Sequence, residues 1–320
     1  MDAEGTRTEK PGRALRRAVI TGATGMLGAT LGRRLLAEGC EVLAVIRPDS
    51  PKRMNLPERH PGLTVIPCSL RELADLRIPG EADAFFHFAW DGPYGAARND
   101  PALQQGNVAS TLDAVRAAAS AGCQVFVTAG SQAVCGPVDR VITEHTPARP
   151  VTEYGKAKLE AEERGDVLAK SLGMDLIKTR ILSVYGPYDN PYTLVMSAIR
   201  SMMTDDPIAF TKGEQVWDYL FSEDAAGFLE GLARTGRPGI PYVISSGTRR
   251  TLKEYLEAIR DAVNPHAVLN LGALPYFEHQ AMFLAGDPSK TISDSGYAPR
   301  TDFREGILKT LAWLKQAREA

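Results

Sequence analysis

Short apolar runs alternate with longer amphipathic ones from Arg17 onward. RAVITG, EVLAVIR, LTVIPC, ADAFFHFAW and QVFVTAG read as strands, and DLIKTRIL supplies one more. Helical stretches start at about Met26, centre on about Leu112, and run from Tyr154 to about Ser171. Strands separated by helices pair in parallel through right-handed crossovers, so the expected class is α/β, a doubly wound parallel sheet. The alternation breaks at YGPYDNP, where prolines and glycines interrupt it. The last third is therefore expected to form a smaller C-terminal substrate-binding lobe. The division expected is a sheet domain over 17–186 with parts of 214–250, and the lobe over 187–213 and 251–320. Residues 1–16, polar and mixed in charge, read as a disordered tail.

The first strand runs into TGATGMLG, which sets Gly22, Gly25 and Gly28 at three-residue intervals between a strand and a helix. Glycines allow the tight turn and the close backbone approach that a pyrophosphate needs, and the free N–H groups of the helix start favour the anion. This is the pattern of a Rossmann-type dinucleotide site, with Gly22, Thr24, Gly25, Met26, Leu27 and Gly28 as its contacts. After the second strand an NAD enzyme often carries an acid for the ribose 2′-hydroxyl. Arg47 stands there instead, with Arg53 close behind, and its fork of donors suits a 2′-phosphate. NADP is thereby preferred, and NAD stays open because Asp49 could still serve a ribose while Arg47 could be a solvated loop residue.

Charge and composition narrow the partners. With 37 basic and 39 acidic residues, a formal charge of -2 and no basic run, the chain shows no footprint for nucleic acid, so a small-molecule substrate is expected. No apolar stretch approaches about 18 residues and the start lacks an apolar signal core, so a cytoplasmic protein without a membrane partner is expected. Cys40, Cys68, Cys123 and Cys135 form no CxxC pair and read as buried thiols in a reducing compartment. His60, His145, His266 and His279 have no metal-like spacing, and no metal is expected.

In VTEYGKAKLEAEERG, Tyr154 and Lys158 are four apart on a helix and share a face, while Lys156 points elsewhere. A phenol titrates at about 10, too high for easy proton exchange at neutral pH, and a neighbouring ammonium favours the phenolate. The pair can then act as a general acid/base unit, although a Tyr and a Lys one turn apart are also common on surface helices.

TGATGMLG, HFAW after the fourth strand, Ser131 in TAGSQAVCG and YGKAK together resemble the extended short-chain dehydrogenase/reductase family, in its branch of sugar-nucleotide epimerases, dehydratases and ketoreductases. The resemblance covers nearly the whole chain. It implies Tyr154 as catalytic acid/base, Lys158 also holding the nicotinamide ribose, and Ser131 bonding the substrate oxygen. It further implies cofactor contacts at Phe88, Ala89 and Trp90, substrate contacts at Asp91, Gln132, Ser183, Tyr185 and Trp217, and pairing of two copies through helices of the Rossmann domain. His87 falls beside the nicotinamide pocket or is a packed histidine. Asp224 matches a family aspartate, which helix N-capping would explain.

Departures from the pattern shape the expected reaction. The 4,6-dehydratase members carry an Asp and a Glu after the active-site hydroxyl, whereas Gln132 and Ala133 follow Ser131, so dehydration is not expected. Ser183 replaces a family asparagine, and two family arginines that grip a substrate diphosphate fall at Trp217 and near Glu278. Arg249, Arg250 or Lys212 would have to supply that charge. The leading expectation is hydride transfer at a secondary alcohol or ketone of a nucleotide-linked sugar, by an epimerase or a ketoreductase. A reductase of hydrophobic ketones and a non-catalytic dinucleotide sensor are the alternatives.

Overall fold

The computed structural model describes residues 12–204, 206, 208–278 and 280–319. The tail expected over 1–11, and His279, lie outside these. The first strand β1 (Arg17–Thr21) leads to helix α1 (Met26–Ala37), β2 (Glu41–Ile46), β3 (Leu63–Pro67), β4 (Ala84–His87), α2 (Pro101–Ser120), β5 (Val125–Thr128), α3 (Glu153–Ser171) and β6 (Asp175–Ile177). These strands form one parallel sheet in the order β3-β2-β1-β4-β5-β6, a Rossmann-type α/β fold. Its strands are apolar on both faces because helices cover both. Ala18 and Ile20 of β1 enter the core shared with α1, while Val19 between them enters the core shared with α2. Phe85 and Phe126 stack at 5.3 Å in the second core, each burial contributing about 2–3 kcal/mol.

The helix starts are written in the sequence. Asp100 accepts from Ala102 N and Leu103 N ahead of Pro101 at the first position of α2, and Thr152 accepts from Gly155 N to open α3. DLIKTRIL, expected as one strand, divides after β6. Its second half is β7 (Thr179–Ile181), followed by β8 (Ser183–Tyr185), α4 (Leu194–Thr204), β9 (Val216–Trp217), β10 (Tyr219–Phe221), α5 (Ser222–Thr235), β11 (Tyr242–Ile244), β12 (Arg250–Thr251), α6 (Leu252–Val263), β13 (Phe283–Leu284), α7 (Ser289–Ser295) and α8 (Phe303–Glu319). β7 pairs with β11, and β8 with β10.

The lobe has its own core, in which α4, α6 and α8 pack around Tyr185, Phe221, Tyr255 and Phe303. Two segments bear on its expected boundaries. Residues 12–16 are not a free tail: Leu15 is buried, and Arg13 donates to Ala233 O and Gly236 O and pairs with Asp175. The α7 segment returns to the sheet domain, where Tyr297 packs on Phe228 and donates to Asp224. Asp224 is not an N-cap: it accepts from Tyr297, Arg300 N and Thr301 N and so ties the chain end to α5. Cys40, Cys123 and Cys135 are buried as expected, but Cys68 is half-buried. No helix among the described residues is long and apolar enough to cross a membrane.

Candidate active site

The strand order reverses between β1 and β4, and sheets of this kind bind ligands in the crevice beyond the strand ends at such a switch point. A cleft of about 1040 Å³ opens there, closed on its far side by β8, β9, β10 and the start of α4. That exceeds the roughly 300–1,000 Å³ of a small-ligand pocket and leaves room for two ligands side by side. All the expected cofactor and substrate contacts line this one cleft except Gln132, which sits half-buried outside it.

The three glycines of the turn differ in what they do. Gly22 has φ +66°, and a Cβ on it would stand 2.7 Å from Ala89 N; a Cβ on Gly28 would stand 2.4 Å from Gly22 O. Packing requires both. At Gly25 a Cβ would meet nothing nearer than Gly22 O at 3.4 Å, so packing makes no such demand there, yet Gly25 lines the cleft and caps α1 without a side chain. The first turn of α1 carries no acid. Free N–H groups, a bare backbone and no opposing carboxylate fit a pyrophosphate. Asn55 donates to Thr24 O and fixes the turn from outside. Beyond the end of β2 Arg47 and Lys52 both line the cleft, whereas Arg53 does not. Lys52 was not legible as a site residue, because only the fold of the β2–β3 connection brings it inward.

At the other end stand Ser131, Tyr154 and Lys158. Gly130 before Ser131 cannot be larger, since a Cβ would fall 1.8 Å from Thr179 O, and this contact seats the loop after β5. The Ser131 hydroxyl accepts from Ala133 N. Lys158 is 6% exposed, donates to Ala129 O at 2.8 Å and stands 3.5 Å over the ring of Trp90. Burial pushes its ammonium down to about 7, opposed by the charge of Glu162 one turn further along α3. Glu162 in turn is gripped by Arg180, whose Nη1 reaches both carboxylate oxygens at 2.8 and 2.6 Å. Tyr154 differs from expectation. Burial holds its phenol above the ordinary value, and the groups that pull it down are the Ser131 hydroxyl and the guanidinium of Arg98; Lys158 lies 5.7 Å from its ring centre, with its charge directed at Ala129 O and Trp90.

His87 is a core residue. It hydrogen-bonds with Thr21 and Thr111, and burial pushes it down to about 3, so it stays neutral. Gln104 and Asn107 of α2, which sequence reasoning passed over, clamp the loop after β4. Gln104 accepts from Trp90 Nε1 and donates to Gly92 O and Ala97 O, and Asn107 exchanges two bonds with the backbone of Asp91.

On the lobe side the two departures from the family pattern meet, for Trp217 Nε1 donates to Ser183 Oγ at 2.7 Å. Tyr185 is 1% exposed and donates to Phe303 O, so it braces the wall with no spare hydroxyl proton. Tyr188 has φ +69°, uncommon for a bulky residue, and lines the cleft beside Asp189. Burial lifts Asp189 to about 6 in spite of bonds from Thr193 Oγ1 and Asn190 N. Arg249, Arg250, Lys212 and Glu278 do not line the cleft. Among the described residues no three His, Cys, Asp or Glu side chains are grouped to hold a metal ion.

Residues 18–245 match the NAD dependent epimerase/dehydratase family. The chain is similar to an uncharacterized UDP-glucose epimerase of Bacillus subtilis (strain 168), 28% identical over 92% of this chain and 97% of that one. It is also similar to a dTDP-glucose 4,6-dehydratase of Streptomyces griseus, 26% identical over 94% of each. Among solved structures, the UDP-N-acetylglucosamine 4-epimerase of Methanobrevibacter ruminantium M1, in complex with UDP-N-acetylmuramic acid, shares the fold with a TM-score of 0.85 at 21% identity, over 94% of this chain and 99% of that one.

Proposed function

Because the chain belongs to the NAD-dependent epimerase/dehydratase family, we propose that it passes a hydride between a nicotinamide cofactor and a secondary alcohol or ketone carbon of a nucleotide-linked sugar, as an epimerase or a ketoreductase. The observation that carries this reading is the meeting of Tyr154, Ser131 and Lys158 in the cleft that the glycine turn opens. A bound nicotinamide would accept and return the hydride. Tyr154 moves the proton on the substrate oxygen, Ser131 donates to the same oxygen, and Lys158, fixed by Ala129 O, holds the cofactor ribose. Dehydration is left out, because no carboxylate follows Ser131.

Arg47 and Lys52 at the adenosine end support NADP, and with it exchange of cofactor at each turnover and ketoreduction. Likeness to a UDP-sugar epimerase supports the other outcome, in which the cofactor stays bound and the hydride returns to the opposite face. A reductase of hydrophobic ketones is supported by Trp217 and by the lobe wall of the cleft, which among the described lining residues carries no Arg or Lys, since the lining cations are Arg47, Lys52 and Lys158 of the sheet domain. A cytoplasmic homodimer belongs to the same proposal, supported by the four free thiols and by an exposed hollow on the outer faces of α2 and α3 around Leu112 and Val167.

The test is to supply nucleotide ketosugars and simple aromatic ketones with NADPH or NADH to wild type and Tyr154→Phe. Consumption of NADPH by the sugars, lost by at least about 100-fold in the variant, is the result expected of a ketoreductase. Interconversion of sugar epimers with no added cofactor identifies the epimerase. Equal rates in wild type and Tyr154→Phe would overturn the catalytic reading and leave a sensor.

A further inference from the structure

Arg98 lies in the connection between β4 and α2, behind the cleft lining. Its guanidinium carbon stands 4.4 Å from the centre of the Tyr154 ring, and its Nη1 donates to Pro93 O at 3.2 Å. It forms no ion pair among the described residues. A half-buried guanidinium with no carboxylate to neutralise it, laid on the face of an aromatic ring, is attracted by the π electrons and more strongly by any negative charge that ring acquires. The loop is held in this position, since Gln104 grips Gly92 O and Ala97 O on either side of the turn that delivers Arg98. Trp90, bonded to the same Gln104, meets the Tyr154 ring edge-on at 5.9 Å.

We propose that Arg98 is a positioning residue for proton transfer: its guanidinium, the positive charge nearer the Tyr154 ring centre than Lys158, fixes that ring and favours the phenolate that Tyr154 becomes when it hands its proton on. The inference rests on the proton-transfer role given to Tyr154. The groups that face this phenol are Lys158 and Glu162 from its own helix, Ser131 from the loop after β5, and Arg98 and Tyr94 from the connection after β4. Burial and Glu162 disfavour the phenolate, whereas Ser131 and Arg98 favour it. Lys158 is farther from the ring than Arg98 and is engaged by Ala129 O and Trp90.

The experiment compares wild type, Arg98→Lys, Arg98→Gln and Arg98→Met in two readouts. The first is the pH profile of alcohol oxidation, in which the rate climbs as Tyr154 loses its proton. The second is the tyrosinate absorbance of each protein minus that of the same protein carrying Tyr154→Phe, which needs no substrate and stays readable if the enzymatic reading fails. Both transitions are expected about one pH unit higher in Arg98→Gln and Arg98→Met, a loss of about tenfold in rate on the rising limb, with recovery in Arg98→Lys. Should Arg98→Gln not fold, Arg98→Met keeps the stacked bulk and carries the comparison. Transitions that coincide in wild type and the uncharged variants would overturn the proposal.

Discussion

Burial governs the protonation of the residues at the centre of the cleft. Lys158 ionises in the folded chain at about 7 and, once unfolded, near its ordinary 10.5, so between those values the unfolded chain binds more protons and stability rises with pH. Below about 7 both forms are protonated and the full cost of the buried ammonium is present. Lys158→Met is accordingly expected to be more stable than wild type at pH 7, by about 1–3 kcal/mol after the lost bond to Ala129 O is counted. That advantage should shrink as the pH approaches 10. Urea unfolding at pH 7 and 9.5 measures it, and an unchanged gap between the two proteins would refute the assignment. That Tyr154, Lys158 and Ser131 face one cleft was legible through the family resemblance, since a helix turn and a strand end alone fit many surface residues. Arg98, Lys52 and Asp189 were not legible, because long connections with no periodic pattern bring Lys52 and Asp189 to the cleft and Arg98 onto the Tyr154 ring. Four-residue spacing puts Lys158 on the right face but does not say that Ala129 O and Trp90 also engage its ammonium.

Among the elements, the turn between β1 and α1 separates scaffold from site. Gly28 and Gly22 are demanded by backbone at 2.4 and 2.7 Å, and Gly25 is not. Gly28→Ala is therefore expected to destabilise the fold by about 2 kcal/mol or more, whereas Gly25→Ala should melt within about 2 °C of wild type and lose at least about tenfold in NADPH affinity. Thermal melting with a fluorescence titration of the cofactor distinguishes them. Equal affinity in Gly25→Ala and wild type would show that the pyrophosphate lies elsewhere. Equally spaced glycines look alike in sequence, and only the distances to Ala89 N and Gly22 O give them separate roles. The six strands of the sheet and the helices α1, α2 and α3 were legible from apolar periodicity. The division of DLIKTRIL was not, because pairing of Thr179–Ile181 with β11 is decided by a segment some sixty residues later in the chain.

At the scale of the molecule, the cleft exists because a chain that alternates strand and helix turns, after Tyr185, into a second core built on α4, α6 and α8. The lobe supplies aromatic wall, Trp217, Tyr219 and Tyr188, while the sheet domain supplies the glycine turn with Ser131, Tyr154 and Lys158. The return of α7 to the sheet domain, locked by Tyr297 on Asp224, escaped the sequence because a seven-residue helix has too little periodicity to announce its partner. The proposed reaction requires that hydride and proton reach one substrate carbonyl in the same cleft. Single-turnover mass spectrometry with NADPH carrying deuterium at the transferred position and a nucleotide ketosugar tests this directly. Deuterium should appear on the sugar carbon in wild type and at least about 100-fold more slowly in Tyr154→Phe. Label transferred at the same rate in both proteins, or never found on the sugar carbon when sugar epimers are not interconverted either, would contradict it.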